Sequence, residues 1–555
     1  MRSRAVTAVL LGLVVLVPGC DLPILQGPPK PVDGGTLTMA LPSDPTTLNR
    51  FLAADAVSQR AVAPLFPNLY EARPDMSVAP DLAESMPTLS DDKKTWTVKL
   101  RAGAKWTDGR PIGADDVVST VGIQRALAAR NPVEAIFDWE KLDRVEKVDD
   151  LTVRFVLTEV YAPFLANSLV TFVAPAHVYG AIPPTSMADD PVSDQPTVTG
   201  GPFKFDKRDA GRQIDLVANP DYYGGRPHID RLVEKVITDP TNAANELGQG
   251  GVQWLPDMSP DAMAKLKPNS NVALHSYPAL GYYDVRFNDR PDHVFGDRLV
   301  RQAFASAVDK EAIVKDATQG QGVTLWGDIL PTSWAYDDTA VVKYKVDRPH
   351  ALELMKQAGW ATGADGVATR GDKRFSVKFY VRNDTPARQR AVEMIAQQVR
   401  EIGMELVPTP VDYNAFYEAV KPGNYDIALA GWAVEADPDQ FRVLHSSQLK
   451  PEKNPDGRNW TGYSSPDLDA LLEQERATLK DNDDDTRRAR REVLGKIEHL
   501  LGEEVVTYYL WIDAAAQGFS SSVGGVEAGP GGTLINLDNS RNVRVYRDWY
   551  MKSVK

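Results

Sequence analysis

The stretch YDIALAGWAVEADPDQ, residues 425–440, decides how the rest of this chain is interpreted. Its first residues alternate between apolar and smaller or polar side chains, which predicts a β-strand over residues 425–430. We expect Gly431 to break that strand, so that Trp432 and the acidic residues after it lie in a loop. Ligands bind beyond strand ends in open α/β sheets. The stretch is therefore a candidate binding site. The alternative, a core tryptophan followed by a solvated acidic loop, fits these residues equally as long as they are taken alone.

Three carboxylates, Glu435, Asp437 and Asp439, follow the tryptophan closely. A tryptophan face beside an acid can hold a cationic group, because the ring quadrupole and the negative charge both attract it. Trp432, Glu435 and Asp437 are therefore candidate ligand-binding residues.

The segment from Phe375 to Gly431 reads as strand, helix, strand, helix, strand. Thr385 and Pro386 are typical of a helix start, and Gly403 is typical of a helix end. Right-handed crossovers of this kind build a parallel sheet. We expect this sheet to carry Trp432 at its carboxyl edge.

Length and charge restrict the class of protein. A chain of 555 residues exceeds what one hydrophobic core usually serves, so we expect about three or four structural units. The formal net charge is −14, from 62 basic and 76 acidic residues. A surface this acidic repels phosphate backbones, so nucleic acid is not an expected partner.

The N-terminus has the pattern of an export signal. A basic start is followed by an apolar run over residues 5–17, and residues 1–19 are interpreted as a signal peptide. Cys20 is the only cysteine of the chain, and its position resembles the lipobox of bacterial lipoproteins, which implies acylation. Residues 20–33 would then be the lipidated cysteine and a proline-rich linker. No later apolar run is long enough to span a bilayer, so membrane attachment is expected through lipid alone.

A series of short motifs resembles one known family, the solute-binding proteins of bacterial peptide-type ABC importers. This group, family 5, includes oligopeptide-, dipeptide- and nickel-binding lipoproteins. The similar motifs occur in the family's order, and one of them departs from it, because Gly200 stands where the family has threonine. The motifs are PDLAES (80–85), LRAG (100–103), DGRP (108–111), ADDV (114–117), TGGPF (199–203), NPDYYGG (219–225), VRQA (300–303) and AGW (358–360).

The resemblance implies an α/β, bilobal periplasmic-binding-protein-like fold, type 2 of cluster C, with an extra domain inserted in the first lobe. Mapped onto this chain, the first lobe would comprise residues 34–73, 200–290 and 508–555. The extra domain would be 74–199, and the second lobe 291–507. A ligand would lie between the lobes, and its binding would close a hinge.

The resemblance also implies roles for individual residues. In peptide-binding members, an aspartate three residues after the tryptophan pairs with the ligand's α-ammonium. That position here is Glu435, which keeps the charge and adds one methylene. Tyr282 and Tyr283 are further candidates for the cleft wall, the alternative being packing beneath the first lobe. The implied partners are a peptide or similar solute and the permease and ATPase of an ABC importer, with the protein itself a monomer.

Enzymatic signatures are lacking. The sequence contains no Gly-x-Ser-x-Gly elbow, phosphate-binding glycine loop or His-Glu-x-x-His motif, so no catalytic residue, metal ligand or cofactor is predicted. Two alternatives stay open. One is the same fold in cell-envelope glycolipid synthesis, because the Thr-Gly-Gly turn is similar to that branch. The other is a secreted hydrolase that uses paired carboxylates.

Overall fold

The computed structural model describes residues 31–73, 75–130, 139–450, 452–454, 457–526 and 545–552. The predicted signal peptide, Cys20 and most of the linker lie outside the described residues. The strands are β1 Thr36–Leu41, β2 Tyr70–Ala72, β3 Val78–Pro80, β4 Thr88–Leu89, β5 Thr95–Lys99, β6 Leu142–Asp149, β7 Thr152–Leu157, β8 Phe203–Asp209, β9 Gln213–Ala218, β10 Arg231–Val236, β11 Trp254–Leu255, β12 Val272–Pro278, β13 Gly281–Phe287, β14 Val323–Thr324, β15 Ala361–Thr362, β16 Ala368–Arg370, β17 Lys373–Arg374, β18 Ser376–Arg382, β19 Glu405–Val411, β20 Ile427–Ala433, β21 Thr507–Ile512, β22 Ala514–Ser520, β23 Val523–Gly524 and β24 Tyr550–Met551.

The helices are distributed over the whole described chain. They are α1 Ala56–Val62, α2 Ala114–Arg130, α3 Ala176–Tyr179, α4 Pro240–Gln249, α5 Pro260–Leu266, α6 Arg298–Ala307, α7 Lys310–Ala317, α8 Arg348–Gln357, α9 Pro386–Arg400, α10 Tyr413–Val420, α11 Phe441–Leu444, α12 Pro466–Ala477, α13 Asp483–Glu504 and α14 Val545–Asp548.

The first lobe is built on a seven-stranded sheet of order β12-β22-β11-β1-β10-β9-β8. Its central strand, β1, runs parallel to β10 and β11. Leu37, Met39 and Leu41 alternate along β1 and are fully buried, so one face of the strand forms part of the lobe's core.

The second lobe is built on a six-stranded sheet of order β14-β21-β13-β20-β18-β19. β18, β19 and β20 are parallel and are joined through α9 and α10, which confirms the predicted alternation of strands and helices. The predicted break at Gly431 is wrong, because β20 continues to Ala433. Gly431 instead allows a close contact: a Cβ there would lie 2.9 Å from Cε1 of Tyr283 on the neighbouring strand.

The chain passes between the two sheets twice. One crossing lies between β12 and β13 at residues 279–280, and the other lies between β21 and β22 at Asp513. The crossings are adjacent, since the Ala279 N–H donates to the Asp513 carbonyl at 2.8 Å. The borders predicted at 290/291 and 507/508 differ from these positions, because β13 pairs with β20 and β21 inside the second lobe's sheet. Two short adjacent crossings are the geometry of a hinge.

The predicted inserted domain contains a four-stranded antiparallel sheet of order β4-β5-β7-β6 with α2 packed on it. Its predicted start at residue 74 differs from the structure, because β2 pairs with β3 across that position. Asp116 in the first turn of α2 accepts hydrogen bonds from the backbone N–H groups of Gly113 and Ala176 and from Trp106 Nε1. The Trp106 ring also explains Gly200, because a Cβ there would lie 2.8 Å from two ring atoms. The ring therefore fills the space that a threonine side chain would need.

Candidate functional site

Trp432 lies on β20 and is paired across the sheet with Tyr282 of β13. Trp432 is half-buried and Tyr282 is buried. Because β13 starts directly after the crossing at 279–280, this pair lies at the hinge end of the second lobe's sheet. The structure therefore brings two of the predicted site residues together beside the hinge.

A buried arginine already contacts the Trp432 ring. The guanidinium carbon of Arg286 lies 5.0 Å from the Trp432 ring centroid and 5.3 Å from that of Trp460, within cation–π range of both. Arg286 Nε also donates to Asp284 Oδ2 at 2.9 Å. Burial alone would lower the pKa of Arg286, but the adjacent carboxylate of Asp284 outweighs burial and raises it. The ring face predicted to hold a ligand cation is thus engaged by the protein's own cation.

Tyr283 lies on the opposite face of β13 from Tyr282, because side chains alternate along a strand. Its ring centroid is 4.8 Å from that of Trp511, and its hydroxyl accepts a hydrogen bond from Arg388 at 2.8 Å. The two consecutive tyrosines therefore do not line one surface, and a ligand contact by Tyr283 stays a prediction.

Glu435 follows the end of β20 and is exposed. It interacts electrostatically with Arg458, whose guanidinium carbon lies 5.9 Å from the Trp432 ring centroid. Partial burial lowers the pKa of Arg458, and the nearby charge of Arg442 lowers it further, whereas Glu435 acts in the opposite direction. Glu435 and Arg442 thus lie close enough to Arg458 to act on its charge, and the ammonium-binding role of Glu435 stays a prediction.

Asp437 is buried in an ion-pair cluster. Its two oxygens accept from Arg490 at 2.5 and 2.7 Å, and Arg490 Nε donates to Glu475 at 2.6 Å. Asp439 forms a comparable bidentate pair with Arg476 at 2.6 to 3.0 Å. These contacts give Asp437 a structural role, and a contact between Asp437 and ligand stays a prediction.

Little space remains beside Trp432 on the face that carries Arg286. The cavity lined by Tyr282, Arg286, Trp432, Arg458 and Trp460 has a volume of about 20 Å³, roughly the room for one water molecule. This cavity is therefore too small for a solute larger than water.

Sequence reasoning missed Arg286, Trp460 and Arg490. A signal existed for Arg286, because Asp284 and Arg286 are two residues apart and share a face when residues 281–287 form a strand. No local signal existed for Arg490, since its partner Asp437 lies 53 residues away in sequence.

Membrane-spanning helices and metal-binding clusters are absent from the described ranges. None of the helices there combines the length and apolar character needed to cross a bilayer. Likewise, the described His, Cys, Asp and Glu residues form no group of three or more that could hold a metal ion.

Comparisons with known proteins agree with this two-lobe geometry. The sequence model for "Bacterial extracellular solute-binding proteins, family 5 Middle" matches residues 77–452, more than half of the chain. The chain belongs to this family.

The relatives of this family 5 protein include oligopeptide- and dipeptide-binding proteins. It is 31% identical over 448 residues to the oligopeptide-binding protein AppA of Bacillus subtilis, covering 80% of this chain and 81% of AppA. It is 29% identical to the dipeptide-binding protein of Escherichia coli, covering 80% and 84%.

Solved structures show the same fold. AppA from Bacillus subtilis in complex with a nonapeptide has a TM-score of 0.69 at 26% identity, covering 94% of this chain and all of that one. NikZ from Campylobacter jejuni in complex with Ni(L-His) has a TM-score of 0.71 at 25% identity, covering 93% and 99%. The bilobal fold is therefore confirmed.

One buried carboxyl pair bears on the hydrolase alternative for this family 5 protein. Asp328 and Glu498 are 2% and 5% exposed, and the Asp328 N–H donates to Glu498 Oε1 at 3.1 Å. Burial raises the pKa of both groups, and Asp328 raises that of Glu498 further. A pair so enclosed cannot flank the scissile bond of a sugar, as a glycosidase requires. The relatives described above are named as oligopeptide- and dipeptide-binding proteins.

Proposed function

We propose that this protein captures a peptide or a similar small polar solute between its lobes and delivers it to the permease of an ABC importer. The observation that carries the proposal is the position of Trp432 and Tyr282 beside the two adjacent chain crossings. A solute that contacts Trp432 there would meet the second lobe where it joins the first. Its binding energy would favour the closed arrangement of the lobes over the open one.

The relatives support the class of solute. AppA is named as an oligopeptide-binding protein and its Escherichia coli relative as a dipeptide-binding protein. A peptide carries an ammonium at one end and a carboxylate at the other. Glu435 would pair with the ammonium, while Arg442 and Arg458 add positive charge nearby. A zwitterionic solute would satisfy both signs of charge, which a purely cationic or anionic one would not.

The solute can be identified first by mass spectrometry of molecules that copurify with the protein. Thermal unfolding with the identified peptide then measures binding, because a ligand that binds only the folded state raises the unfolding temperature. Glu435→Gln should weaken binding of the peptide with a free amino end far more than binding of its N-acetylated form. Glu492→Gln is the matched control, since Glu492 is exposed on α13. Equal losses for both peptides would refute the ammonium role.

The delivery and anchoring steps complete the proposal. The protein would act outside the cytoplasmic membrane, held there by lipid on Cys20, and would present its solute to the permease as a monomer. Uptake of the labelled solute by cells should require both this protein and the permease. Normal uptake without this protein, together with altered envelope glycolipids, would instead favour the envelope role.

A further inference from the structure

A cavity of about 390 Å³ lies between the inserted domain and the second lobe. Direct contacts join the two bodies beside it, since the Ala162 N–H donates to the Arg476 carbonyl at 2.8 Å and Lys93 pairs with Asp481. We call this space the interdomain cavity. Its volume lies within the range of about 300–1,000 Å³ that is usual for small-molecule pockets, whereas the cavity beside Trp432 has a volume of about 20 Å³. A solute therefore has far more room in the interdomain cavity than beside the Trp432 ring.

The interdomain cavity adjoins the Trp432 site. Met76 lines the cavity and belongs to the same buried cluster as Tyr282, and both Trp334 and Trp432 pack against that cluster. Trp334 lines the cavity as well, and so does Asp437, which follows Trp432 by five residues. The interdomain cavity and the Trp432 site are therefore neighbouring parts of one site.

Met76 is held at this junction in a strained backbone conformation. Its φ of 62° lies in the left-handed region, which residues with a long side chain rarely adopt. The turn that carries it, between β2 and β3, is fixed from two sides. The Trp334 N–H donates to the Asp75 carbonyl at 2.9 Å, and Ser77 Oγ donates to Asp75 Oδ1 at 2.6 Å. Strain of this kind is concentrated at ligand-binding and other functional sites, because the surrounding structure must maintain it.

Apolar side chains from both bodies are accessible to an occupant of the interdomain cavity. The half-buried apolar residues of its wall include Met86, Pro87 and Leu89 of the inserted domain and Trp334 and Leu479 of the second lobe. Leu479 also packs against the hydrophobic core of the inserted domain. An apolar group placed between these two walls would be removed from water on both sides, which is favourable.

The charged residues of the cavity wall are already engaged with one another. Among the described wall residues, the two buried charged ones, Asp437 and Arg490, pair with each other. The half-buried Arg487 pairs with Asp483 and with Asp484. A charged group of a solute would lose its hydration here without gaining an unpaired buried counter-charge, and that loss is costly. A neutral apolar group therefore fits the cavity best.

We propose that the interdomain cavity holds one bulky apolar side chain of the solute, while the rest of the solute lies beside Trp432. The inference rests on the function proposed above and adds the class of solute to it: a short peptide that carries a side chain about the size of leucine or phenylalanine. Met76 and Trp334 contact this side chain next to the Trp432 site. Leu89 and Leu479 cover it from the inserted domain and from the second lobe.

Calorimetric titration of the full-length protein with four tripeptides tests the side-chain preference. The probes are Ala-Ala-Ala and the three tripeptides in which one alanine is replaced by phenylalanine. At one of the three positions, phenylalanine should tighten binding about 10- to 100-fold, the ratio expected when a side chain of this size is removed from water. Lysine at the same position should bind no tighter than alanine, because its ammonium would lose hydration in the cavity.

Leu479→Asp tests whether this preference arises in the interdomain cavity. The variant places a charge in the apolar wall, so it should abolish most of the preference for phenylalanine and leave the affinity for Ala-Ala-Ala unchanged. Leu479→Ala removes contact area without adding a charge, so it should cause a smaller loss of the same kind. Leu352→Asp is the matched control, because Leu352 is 42% exposed on α8 and does not line the cavity.

The outcomes separate this inference from the function proposed above. If none of the four tripeptides binds, both peptide capture and the cavity inference fail. If all four bind with equal affinity, peptide capture stands and the cavity inference is overturned. The cavity inference is also overturned if Leu479→Asp weakens binding of Ala-Ala-Ala and of the phenylalanine tripeptide equally, or if Leu352→Asp reduces the preference as much as Leu479→Asp does.

Discussion

Replacing Arg490 by methionine should destabilise the second lobe by about 3–5 kcal/mol, the usual cost of removing one partner from a buried ion pair. The side chain of Arg490 is 3% exposed, and those of its partners Asp437 and Glu475 are 3% and 2% exposed. Methionine fills much of the same volume but donates no hydrogen bond. Two buried carboxyl groups would therefore lose their shared guanidinium.

Asp437→Asn should cost less, about 1–3 kcal/mol, because Glu475 can take over as the partner of Arg490. Burial raises the pKa of Glu475 to about 8; Arg490 opposes this rise, while Asp439 and Asp437 add to it. Replacing Asp437 by neutral asparagine removes one of the two carboxylates that repel ionised Glu475. The carboxylate of Glu475 then forms more readily and compensates the guanidinium.

Thermal unfolding followed by circular dichroism measures both changes. At about 2–4 °C per kcal/mol for a body of this size, Arg490→Met should lower the unfolding temperature by roughly 6–20 °C. Arg488→Met is the matched control, because Arg488 is 73% exposed and its pair with Asp485 lies at the surface. Adding Asp437→Asn to Arg490→Met should restore part of the loss.

Two results would refute this reasoning about the cluster. One is an Arg490→Met variant no less stable than Arg488→Met, and the other is an Asp437→Asn variant as unstable as Arg490→Met. The same variants test the predicted ligand contact of Asp437. A loss of peptide binding by Asp437→Asn at an unchanged unfolding temperature would assign Asp437 to the ligand instead of the cluster.

Glu475→Gln should reduce the pH dependence of the free energy of unfolding. The pKa of Glu475 in the folded state is raised from 4.5 to about 8. Wild-type stability therefore falls as pH rises through this range, because the folded state holds the proton more tightly than the unfolded state. Melts at pH 5 and pH 8.5 should show a smaller drop for the variant, and equal drops would contradict the assignment. Gly281→Ala should lower the unfolding temperature and weaken solute binding, because the added Cβ would lie 2.8 Å from the Trp432 carbonyl oxygen beside the hinge. Gly122→Ala is the control, because a Cβ at Gly122 would meet open space. Cys20→Ala should move the protein from the membrane fraction to the soluble fraction, and unchanged fractionation would exclude a lipid anchor on Cys20.

Local periodicity was sufficient to predict the parallel part of the second lobe. The apolar alternation before Gly431 and the helix signals at Pro386 and Gly403 are set by neighbours within a few residues, and α9, α10 and β20 formed as expected. The end of β20 was not predictable in this way. Gly431 is required by the ring of Tyr283, which lies on another strand far away in sequence. The sequence alone does not distinguish a glycine that permits a close contact from a glycine that ends a strand.

The hydrogen-bond partners of the site residues also could not be predicted from neighbouring residues in the sequence. The sequence shows an acid at Asp437 and a tyrosine at Tyr283, but their arginine partners lie 53 and 105 residues away. Whether such a side chain faces a ligand or an internal partner depends on tertiary packing. The parallel order of the strands placed Trp432 at the carboxyl edge of the sheet, but Trp432 lies inside β20 and not in the loop that was expected after Gly431.

The arginine that contacts the Trp432 ring limits which part of a solute the ring can bind. The guanidinium of Arg286 lies 5.0 Å from the ring centroid and is held in place by Asp284. A ligand ammonium at the same ring face would be placed beside a buried like charge, and that repulsion is strong because the surroundings are poorly polarisable. The exposed side of Trp432 is therefore better suited to an apolar or peptide group of the solute. Discrimination of charge then belongs to Glu435 and Arg458 at the exposed rim.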